Sequence, residues 1–368
     1  MFSEALCGYK KNPMSKVKLA IVGCGTISQL NVPGYLEHPD CDVVALCDPV
    51  RERAESRASE WGITPRIYTN YQEVLQDSNV DAIELLTPTH LHADQSIAAL
   101  EADKHVSCQK PICKNVGEVE RIAQTVEKSK KIFRVTENFL YYPPLMKAKE
   151  LLDSGVIGEP TMVRMRVVVA GFEQDSGLFK IESDSSKWRL DPKLNPGGLL
   201  YDEGVHKYAT AIWWIGEPET VSSIVTRSDD FRIEAPSVVT WKFNNSNCLG
   251  VFETSVAPDM KIRSSYYEMD DFFEIQGSAG TIWVTRCSGE MLDLPPVVLH
   301  KGSESVSYQV PMDWIEGFKG AARDFVDGIM VGQQPHMDVH FSKKVLQAAL
   351  AVYRSSEIEA PVDPSTVT

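Results

Sequence analysis

The sequence predicts an α/β protein in two parts: a doubly wound parallel sheet, followed by an α/β part with a large open, mostly antiparallel sheet. Three observations predict this. A glycine turn follows an apolar run near residue 20, short apolar runs alternate with helical patterns up to about residue 138, and period-2 segments follow one another after residue 160. Alternation is typical of parallel βαβ units, whereas consecutive strands favour antiparallel pairing.

Length and charge narrow the class of protein. A chain of 368 residues is long enough for two domains, and its net charge of −14 argues against nucleic acid or an anionic membrane as partner. No apolar run reaches transmembrane length, and residues 1–15 form an N-terminal arm without a secretory signal. We therefore expect a cytoplasmic protein whose eight scattered cysteines stay reduced.

The glycine turn begins the first part. Residues 19–22 form a buried strand, and a Gly-Cys-Gly turn follows it directly before a helical pattern. Gly23 permits the tight turn, and Gly25 lets the backbone approach a pyrophosphate at the helix N-terminus. The next apolar run ends in Asp48, where an acid can accept the ribose hydroxyls of an adenosine. The alternative is an ordinary βαβ turn that binds no ligand.

The elements that follow keep the alternation until the first domain ends near Asn138. Helices are expected at 26–38, 50–61, 71–76, 90–102 and 115–128. Strands are expected at 43–47, 67–68, 80–86, 105–107 and 132–136.

The second part changes character after a helix at 144–154. Its expected strands are 161–169, 221–226, 238–243, 249–255, 272–276, 281–285 and 306–310. Helices are expected at 199–214, 314–331 and 342–358. Since no helices remain to cover the second face of this sheet, we expect another subunit to cover it, in a homo-oligomer.

Two motifs follow predicted strands at the edge where open α/β sheets bind ligands. The first is TPTHLH at 87–92, for which the alternative is a plain helix start with Thr89 as N-cap. The second is Cys-Gln-Lys-Pro at 108–111, in which Pro111 restricts Lys110 to extended backbone. Near a charged nicotinamide, Lys110 would lose its proton more easily and exchange it with a substrate hydroxyl. The alternative is a solvated loop lysine.

The third motif is NPGGLLYDEGVH at 195–206. Asp202 and His206 are four residues apart and share a face if this segment is a helix. A histidine beside a carboxylate is a natural proton acceptor near neutral pH, and the alternative is a helical ion pair or a cap. No metal is expected, because no standard zinc spacing fits the candidate ligands His90, His92, Cys108 and Cys113.

Taken together, these motifs resemble the family of glucose–fructose oxidoreductase, inositol dehydrogenase and the rhizopine-catabolism oxidoreductases (Gfo/Idh/MocA), from Lys16 to Pro361. The further marks of the resemblance are Asn138 followed by Pro143, and Trp188-Arg189. It implies a dinucleotide-binding Rossmann domain, placed at 16–138, and a substrate-binding and oligomerisation domain at 139–368. It also implies a nicotinamide cofactor and a sugar or polyol substrate.

By position, Lys110 matches the family's catalytic lysine, and Asp202 and His206 match its aspartate and histidine, with His206 as the proton acceptor. The expected cofactor contacts are Gly23, Gly25, Thr26, Ile27, Asp48, Thr87, Pro88, His92, Lys110, Asn138, Trp188 and Arg189. The expected substrate contacts are Lys110, Tyr141, Phe172, Asp202 and His206.

Two positions depart from the family pattern. Gln109 replaces the usual glutamate before Lys-Pro, which removes a negative charge that would hold the lysine protonated. Ala209 stands where the family often has an aspartate three residues after the histidine. That position can bind substrate, so the sugar recognised is expected to be atypical.

The leading hypothesis is an NAD-dependent dehydrogenase, less readily using NADP, that acts on a ring secondary alcohol of a sugar, glycoside or cyclitol. Oxidation at carbon 3 of a glycoside is the most specific form of it. Inositol dehydrogenase and sugar-nucleotide oxidoreductase are alternatives within the enzymes. A non-catalytic dinucleotide-binding sensor or scaffold is the alternative of another class, but it would need neither Lys110 nor the Asp202 and His206 pair.

Overall fold

The computed structural model describes residues 16–170, 183–226 and 234–368. The strands of its first sheet are β1 (Val17–Val22), β2 (Cys41–Cys47), β3 (Arg66–Tyr68), β4 (Ala82–Leu85), β5 (His105–Gln109) and β6 (Phe133–Thr136). All neighbouring pairs are parallel, and the strand order is β3-β2-β1-β4-β5-β6. The strand order reverses between β1 and β4, and ligands bind such sheets at the carboxyl ends of the strands.

The helices that alternate with these strands are α1 (Ser28–Leu36), α2 (Arg51–Glu60), α3 (Tyr71–Gln76), α4 (Thr89–Glu101) and α5 (Val116–Ser129). Asn70 caps α3 by accepting a hydrogen bond from the Gln72 N–H. Helix α4 begins after Pro88 without a side-chain cap, so Thr89 is its first residue and not the N-cap.

The second sheet has eight strands in the order β16-β15-β13-β12-β7-β10-β9-β8. Their bounds are β7 (Pro160–Ala170), β8 (Pro218–Val225), β9 (Ser237–Phe243), β10 (Leu249–Ala257), β12 (Met269–Gly277), β13 (Gly280–Val284), β15 (Val297–Lys301) and β16 (Glu304–Tyr308). Two short strands, β11 (Arg263–Ser264) and β14 (Gly289–Glu290), pair separately. In the eight-stranded sheet β7 and β10 are parallel, while its other neighbouring strands pair antiparallel.

The later helices are α6 (Pro143–Asp153), α7 (Leu199–Asp202), α8 (Gly204–Trp214), α9 (Ile315–Val331) and α10 (Val339–Ile358). Short 3-10 helices lie at Phe139–Tyr141, Ser183–Leu190 and Pro364–Thr366. The single helix expected over 199–214 is therefore two helices, interrupted at Glu203.

The chain divides into two compact units. The first comprises the described residues up to Cys113, then Glu118–Thr136 and Lys319–Phe341. The second comprises Lys114–Gly117, the described residues of Glu137–Phe318, and Ser342–Thr368. Most of α9 therefore belongs to the first unit, where Phe325 and Ile329 join the core beside β1 and α1.

Burial separates the two faces of the second sheet. Phe273 on β12 points to the covered face and meets Trp214 of α8 edge-to-face at 5.9 Å. The opposite face keeps Ile224 on β8, Val238 on β9 and Trp283 on β13 exposed. In the described part of the chain, no helix combines the length and apolar character needed to cross a membrane.

Candidate active site

The glycine turn of the first unit has the shape that a phosphate-binding turn requires. Gly23 has φ +97°, and a Cβ at this position would lie 2.6 Å from the Leu86 carbonyl oxygen, so only glycine fits. The turn is held by hydrogen bonds, because Ser28 N–H and Oγ–H both donate to the Gly25 carbonyl. Thr26 and Ile27 form the turn that leads into α1.

Asp48 connects this turn to the end of β2. Its carboxylate is buried and accepts hydrogen bonds from Cys24 N–H and Val50 N–H, both at 2.9 Å. Arg53 also donates to it, at 3.2 Å. The acid thus lies at the carboxyl end of β2, beside the turn, where the adenosine ribose of a dinucleotide would bind.

His92 links the loops that follow β4 and β5. Its buried ring has Nε2 at 2.7 Å from the Thr87 carbonyl oxygen and Nδ1 at 2.8 Å from the Pro111 carbonyl oxygen. Burial lowers the pKa of His92 and so favours the neutral ring, which donates to one carbonyl in either tautomer. The ring therefore lies between the two loops and is hydrogen-bonded to one of them.

Gln109, at the end of β5, orients the lysine loop from the other side. Its Oε1 accepts the backbone N–H of Lys110 at 2.8 Å. Its Nε2 and the Thr89 hydroxyl are buried without a hydrogen-bond partner among the described residues. Unpaired buried polar atoms beside the ligand-binding edge fit a bound polar molecule, so the first unit suits a dinucleotide by its donors as well as by its turn.

In the second unit, the candidate base His206 is buried on α8 and paired with Glu137. Its Nδ1 lies 2.6 Å from Glu137 Oε1, and the ring stacks on Phe139 with 4.3 Å between centroids and 8° between planes. Glu137 also accepts the backbone N–H of Phe139 at 3.0 Å. A carboxylate at Nδ1 sets the tautomer with Nε2 unprotonated, which is the form that accepts a proton.

A buried cluster of charges lies directly beside this pair. Lys207 makes ion pairs with Glu203 and, at 2.5 Å, with Asp271 Oδ1, and its ammonium lies over the Phe139 ring at 4.7 Å. Burial disfavours the charged lysine, but the attraction of Asp271 and Glu203 outweighs it and raises the pKa of Lys207. The ammonium is therefore a permanent charge of this unit.

Asp202 forms an ion pair with Arg189. The Arg189 Nε–H donates to Asp202 Oδ2 at 2.8 Å, and the Arg189 guanidinium stacks over the Trp188 ring at 4.4 Å. The carboxylate on His206 Nδ1 is Glu137 and not Asp202. Asp202 ends α7, whereas His206 lies on α8, so the two residues do not share one helix as the spacing argument assumed. The roles of Asp202 and His206 stay predictions, and their partners in the structure are Arg189 and Glu137.

Glu234 holds the N-terminal end of α7 in place. This fully buried carboxylate accepts hydrogen bonds from Gly198 N–H at 3.1 Å and Leu200 N–H at 2.9 Å. The Tyr353 hydroxyl of α10 donates to it at 2.7 Å. A Cβ on Gly197 would lie 2.2 Å from that hydroxyl oxygen, which explains the first glycine of the pair.

The predicted residues that remain to be placed are Asn138, Tyr141, Ala209 and Phe172. Asn138 is buried, with Nδ2 unpaired among the described residues, and Tyr141 is half-buried in the 3-10 turn that follows. Ala209 is fully buried on α8. Phe172 lies outside the described residues.

Sequence reasoning missed Glu137, although it lies directly before the predicted cofactor contact Asn138. It also missed Glu203, which lies within the 195–206 motif, and Lys207, which directly follows it. The available signal for the buried charge cluster was Lys207, the single Lys, Arg, Asp or Glu in the sequence GVHKYATAIWW of α8.

Comparison with known proteins identifies the family of this chain. Residues 17–137 match the model of the oxidoreductase family with an NAD-binding Rossmann fold, and residues 145–283 match the GFO/IDH/MocA C-terminal domain. Inositol 2-dehydrogenase of Salmonella typhimurium is 30% identical over 333 residues, which are 87% of this chain and 88% of the relative. These matches confirm the family predicted from the motifs.

Solved structures share the fold. An oxidoreductase from Agrobacterium radiobacter, in complex with NAD+, L-tartaric acid and magnesium, is 19% identical with a TM-score of 0.80, over 95% of this chain and 99% of that chain. Levoglucosan dehydrogenase in complex with NADH and levoglucosan is 19% identical with a TM-score of 0.79, over the same 95% and 99%. With the two sheets described above, these similarities confirm the predicted fold class.

Proposed function

Because the chain belongs to the GFO/IDH/MocA family of oxidoreductases, we propose that it is an NAD-dependent dehydrogenase that oxidises a ring secondary alcohol of a sugar, glycoside or cyclitol. The observation that carries the proposal is the buried Glu137 and His206 pair, with 2.6 Å between Oε1 and Nδ1. A general base must be held in one tautomer and one orientation, and this pair with its stacked Phe139 does both.

In the proposed reaction, His206 takes the hydroxyl proton at Nε2 while its Nδ1–H stays hydrogen-bonded to Glu137. The imidazolium that forms is stabilised by the Glu137 carboxylate. A bound nicotinamide would supply the hydride acceptor. Lys110, assigned by the family resemblance, would hydrogen-bond the same hydroxyl and share its proton, and its backbone N–H is held by Gln109 Oε1.

For the cofactor, we propose a preference for NAD. A dinucleotide in the first unit would place its pyrophosphate at the turn of Gly23 and Gly25, and its adenosine ribose at the Asp48 carboxylate. A 2′-phosphate would be repelled by that carboxylate. Arg53, which pairs with Asp48, weakens this repulsion and would allow residual use of NADP.

For the substrate, we propose a pyranose carried as a glycoside and oxidised at a ring hydroxyl such as that on carbon 3. Carbon 1 cannot be oxidised once it carries an aglycone, because it then has no free hydroxyl. A cyclitol is the second candidate, favoured by the 30% identity to inositol 2-dehydrogenase. A sugar nucleotide is less favoured, because the arginines available for a second diphosphate are already paired: Arg164 with Glu274, Arg166 with Asp270 and Arg189 with Asp202.

The test is a substrate panel with NAD, comprising free sugars, inositols and methyl or aryl glycosides, monitored by the absorbance of reduced nicotinamide. NMR of the product locates the new carbonyl. A ring ketone is expected, whereas lactones alone would refute the ring-hydroxyl assignment, and oxidation of inositol alone would replace the glycoside by a cyclitol. His206→Ala and Lys110→Met should each lose about 10²–10⁴ in rate. Either variant retaining near wild-type rate, while folded and still binding cofactor, would remove that residue from the mechanism.

We also propose that the exposed face of the second sheet is an interface with a second copy of the chain. Ile224 and Val238 are cross-strand partners on this face, and Ile224 is 74% exposed. Contiguous apolar side chains on a sheet face favour burial against a partner.

A further inference from the structure

A second carboxylate faces the reactive nitrogen of His206. Glu203 Oε2 lies 3.9 Å from His206 Nε2, while Glu137 occupies the Nδ1 side of the ring. Glu203 is the single residue between α7 and α8, and two backbone hydrogen bonds fix it there. Its N–H donates to the Leu199 carbonyl at 3.0 Å, and its own carbonyl accepts the His206 N–H at 3.2 Å. The ring therefore lies between two carboxylates.

Lys207 fixes the side chain of Glu203. Its ammonium is fully buried and binds Glu203 Oε1, while the nearest oxygen to the histidine is the other one, Oε2. Asp271 on β12 is the second partner of the ammonium and largely compensates its charge. Lys207 therefore holds Glu203 beside the ring, while the negative charge of Asp271 offsets the positive charge of the lysine.

The other groups packed around the pair are neutral or already paired. Burial raises the pKa of the Cys287 thiol well above its usual range, and burial together with nearby acids raises the pKa of Tyr267 to about 12, so both are neutral at ordinary pH. Arg189 forms its own ion pair with Asp202. Among the described residues, Glu137 and Glu203 are thus the charges that bear most directly on the His206 ring.

We propose that Glu203 is a positioning residue that stabilises the imidazolium of His206, and so favours proton transfer to Nε2. The proposal rests on the proposed function. As the substrate hydroxyl loses its proton to Nε2 and its carbon loses hydride to the oxidised nicotinamide, the ring changes from neutral to positive. The attraction between Glu203 and the ring exists only after that change, so it acts on the transition state and not on the bound alcohol.

The primary test measures the ring directly and needs no substrate. The full chain, labelled with ¹⁵N-histidine and saturated with NAD, is titrated from pH 5 to pH 9 by NMR, and the His206 signals are assigned by their loss in His206→Gln. In Glu203→Gln, which keeps the size and a hydrogen-bond acceptor for Lys207, we expect the titration midpoint to move down by about one pH unit. Glu203→Asp, which keeps the charge on a shorter side chain, should lie between the two.

Kinetics give the second readout once the panel has identified a substrate. In Glu203→Gln, kcat should fall by about tenfold with little change in KM, and the acid limb of log kcat/KM should move to lower pH with the NMR midpoint. Glu150→Gln, an exposed residue of α6 paired with Lys147, removes the same charge at a distance and should change neither readout.

An unchanged midpoint in a folded Glu203→Gln that binds NAD would overturn the proposal, as would an equal shift in Glu150→Gln. If Glu203→Gln does not fold, Glu203→Asp decides, because an unchanged midpoint there with loss of kcat would mark a structural role only. The proposed function fails separately, by full activity of His206→Ala, whatever the NMR titration shows.

Discussion

Asp48 combines two tasks that a single substitution can separate. Its carboxylate binds two backbone N–H groups and Arg53, which fixes the end of β2 against the glycine turn. Its negative charge is also the proposed reason for excluding a 2′-phosphate. Neutral acceptors can partly replace it in the first task but not in the second.

We therefore expect wild-type kcat/KM to be higher with NAD than with NADP, and the NADP-to-NAD ratio to rise about tenfold or more in Asp48→Ser, because a repulsion is removed. The measurement compares the NADP-to-NAD ratio of kcat/KM, because loss of the backbone hydrogen bonds will lower the rates with both cofactors. Asp42→Ser, which removes an exposed acid paired with Lys16, is the matched control. A wild type that uses NADP as well as NAD would mean that Asp48 does not select the cofactor.

His105 makes the stability of the first unit depend on pH. Its Nδ1 accepts the Ile132 N–H at 2.9 Å, and burial, assisted by the positive charge of Lys131, lowers its pKa to about 4. The unfolded chain takes up this proton near pH 6.5, so stability is full above that pH and is lost as the pH falls toward 4. Between pH 7 and pH 5 the loss should be about 1–2 kcal/mol.

His105→Asn keeps an acceptor for the Ile132 N–H but does not titrate, so the difference between urea unfolding at pH 7 and at pH 5 should shrink. His300→Asn, at an exposed histidine of β15, should leave that difference as it is in the wild type. Equal pH dependence in His105→Asn and wild type would assign the acid sensitivity to other groups.

Pairing between distant residues is what the sequence could not predict at this scale. The motif predicted His206 as the proton acceptor, and the structure shows that residue buried with a carboxylate on Nδ1. That carboxylate belongs to Glu137, which is 69 positions away, so no local periodicity connects the two. Local spacing instead suggested Asp202, which pairs with Arg189.

At the scale of elements, the packing of α1 on α9 depends on a missing side chain. A Cβ on Gly34 would lie 2.7 Å from both Lys319 Cα and Ala322 Cβ. Two backbones this close cannot both keep their positions if a methyl group is added. The contact is also a core contact, since Ala322 is buried with α1 and β1 in one cluster.

Gly34→Ala should therefore lower the free energy of unfolding by about 1–2 kcal/mol, because the steric cost exceeds the gain in helix propensity. Gly117→Ala provides the comparison, since its added methyl group would meet only Asn115 Oδ1, at 3.4 Å. It should be neutral or slightly stabilising. Urea unfolding of the three proteins measures both effects, and a Gly34→Ala variant as stable as wild type would show that α9 can shift.

Elements with strong local patterns were predictable, and short or interrupted ones were not. A short apolar run such as 19–22, between a polar segment and a glycine, strongly favours a buried strand. Helix α3 was predicted with its observed bounds. The two-residue strands β11 and β14 carry too little pattern to detect. The break at Glu203 was hidden because helical periodicity runs on through it from α7 to α8.

At the scale of the molecule, the exposed sheet face predicts assembly. Light scattering should give a mass above that of one chain at working concentrations, because Ile224, Val238 and Trp283 leave apolar surface exposed on one face. Ile224→Glu should lower the mass toward a single chain. Val306→Glu alters an exposed apolar residue of the opposite sheet face and should not.

A wild type that scatters as a single chain across the concentration range would contradict this prediction. Unfolding must be checked for Ile224→Glu by circular dichroism. If that variant is folded and still assembles fully, the interface lies elsewhere on the molecule.

The contribution of residues 319–341 to the first unit has a consequence for synthesis on the ribosome. Phe325, Val326 and Ile329 fill the same core as β1, yet they are translated about three hundred codons after it. During synthesis, the first unit therefore cannot complete its core until the whole second sheet has been translated, and part of its apolar interior stays exposed until then. A truncated chain that stops near residue 138 would lack these core residues permanently. We expect a chaperone that binds exposed apolar surface to retain it.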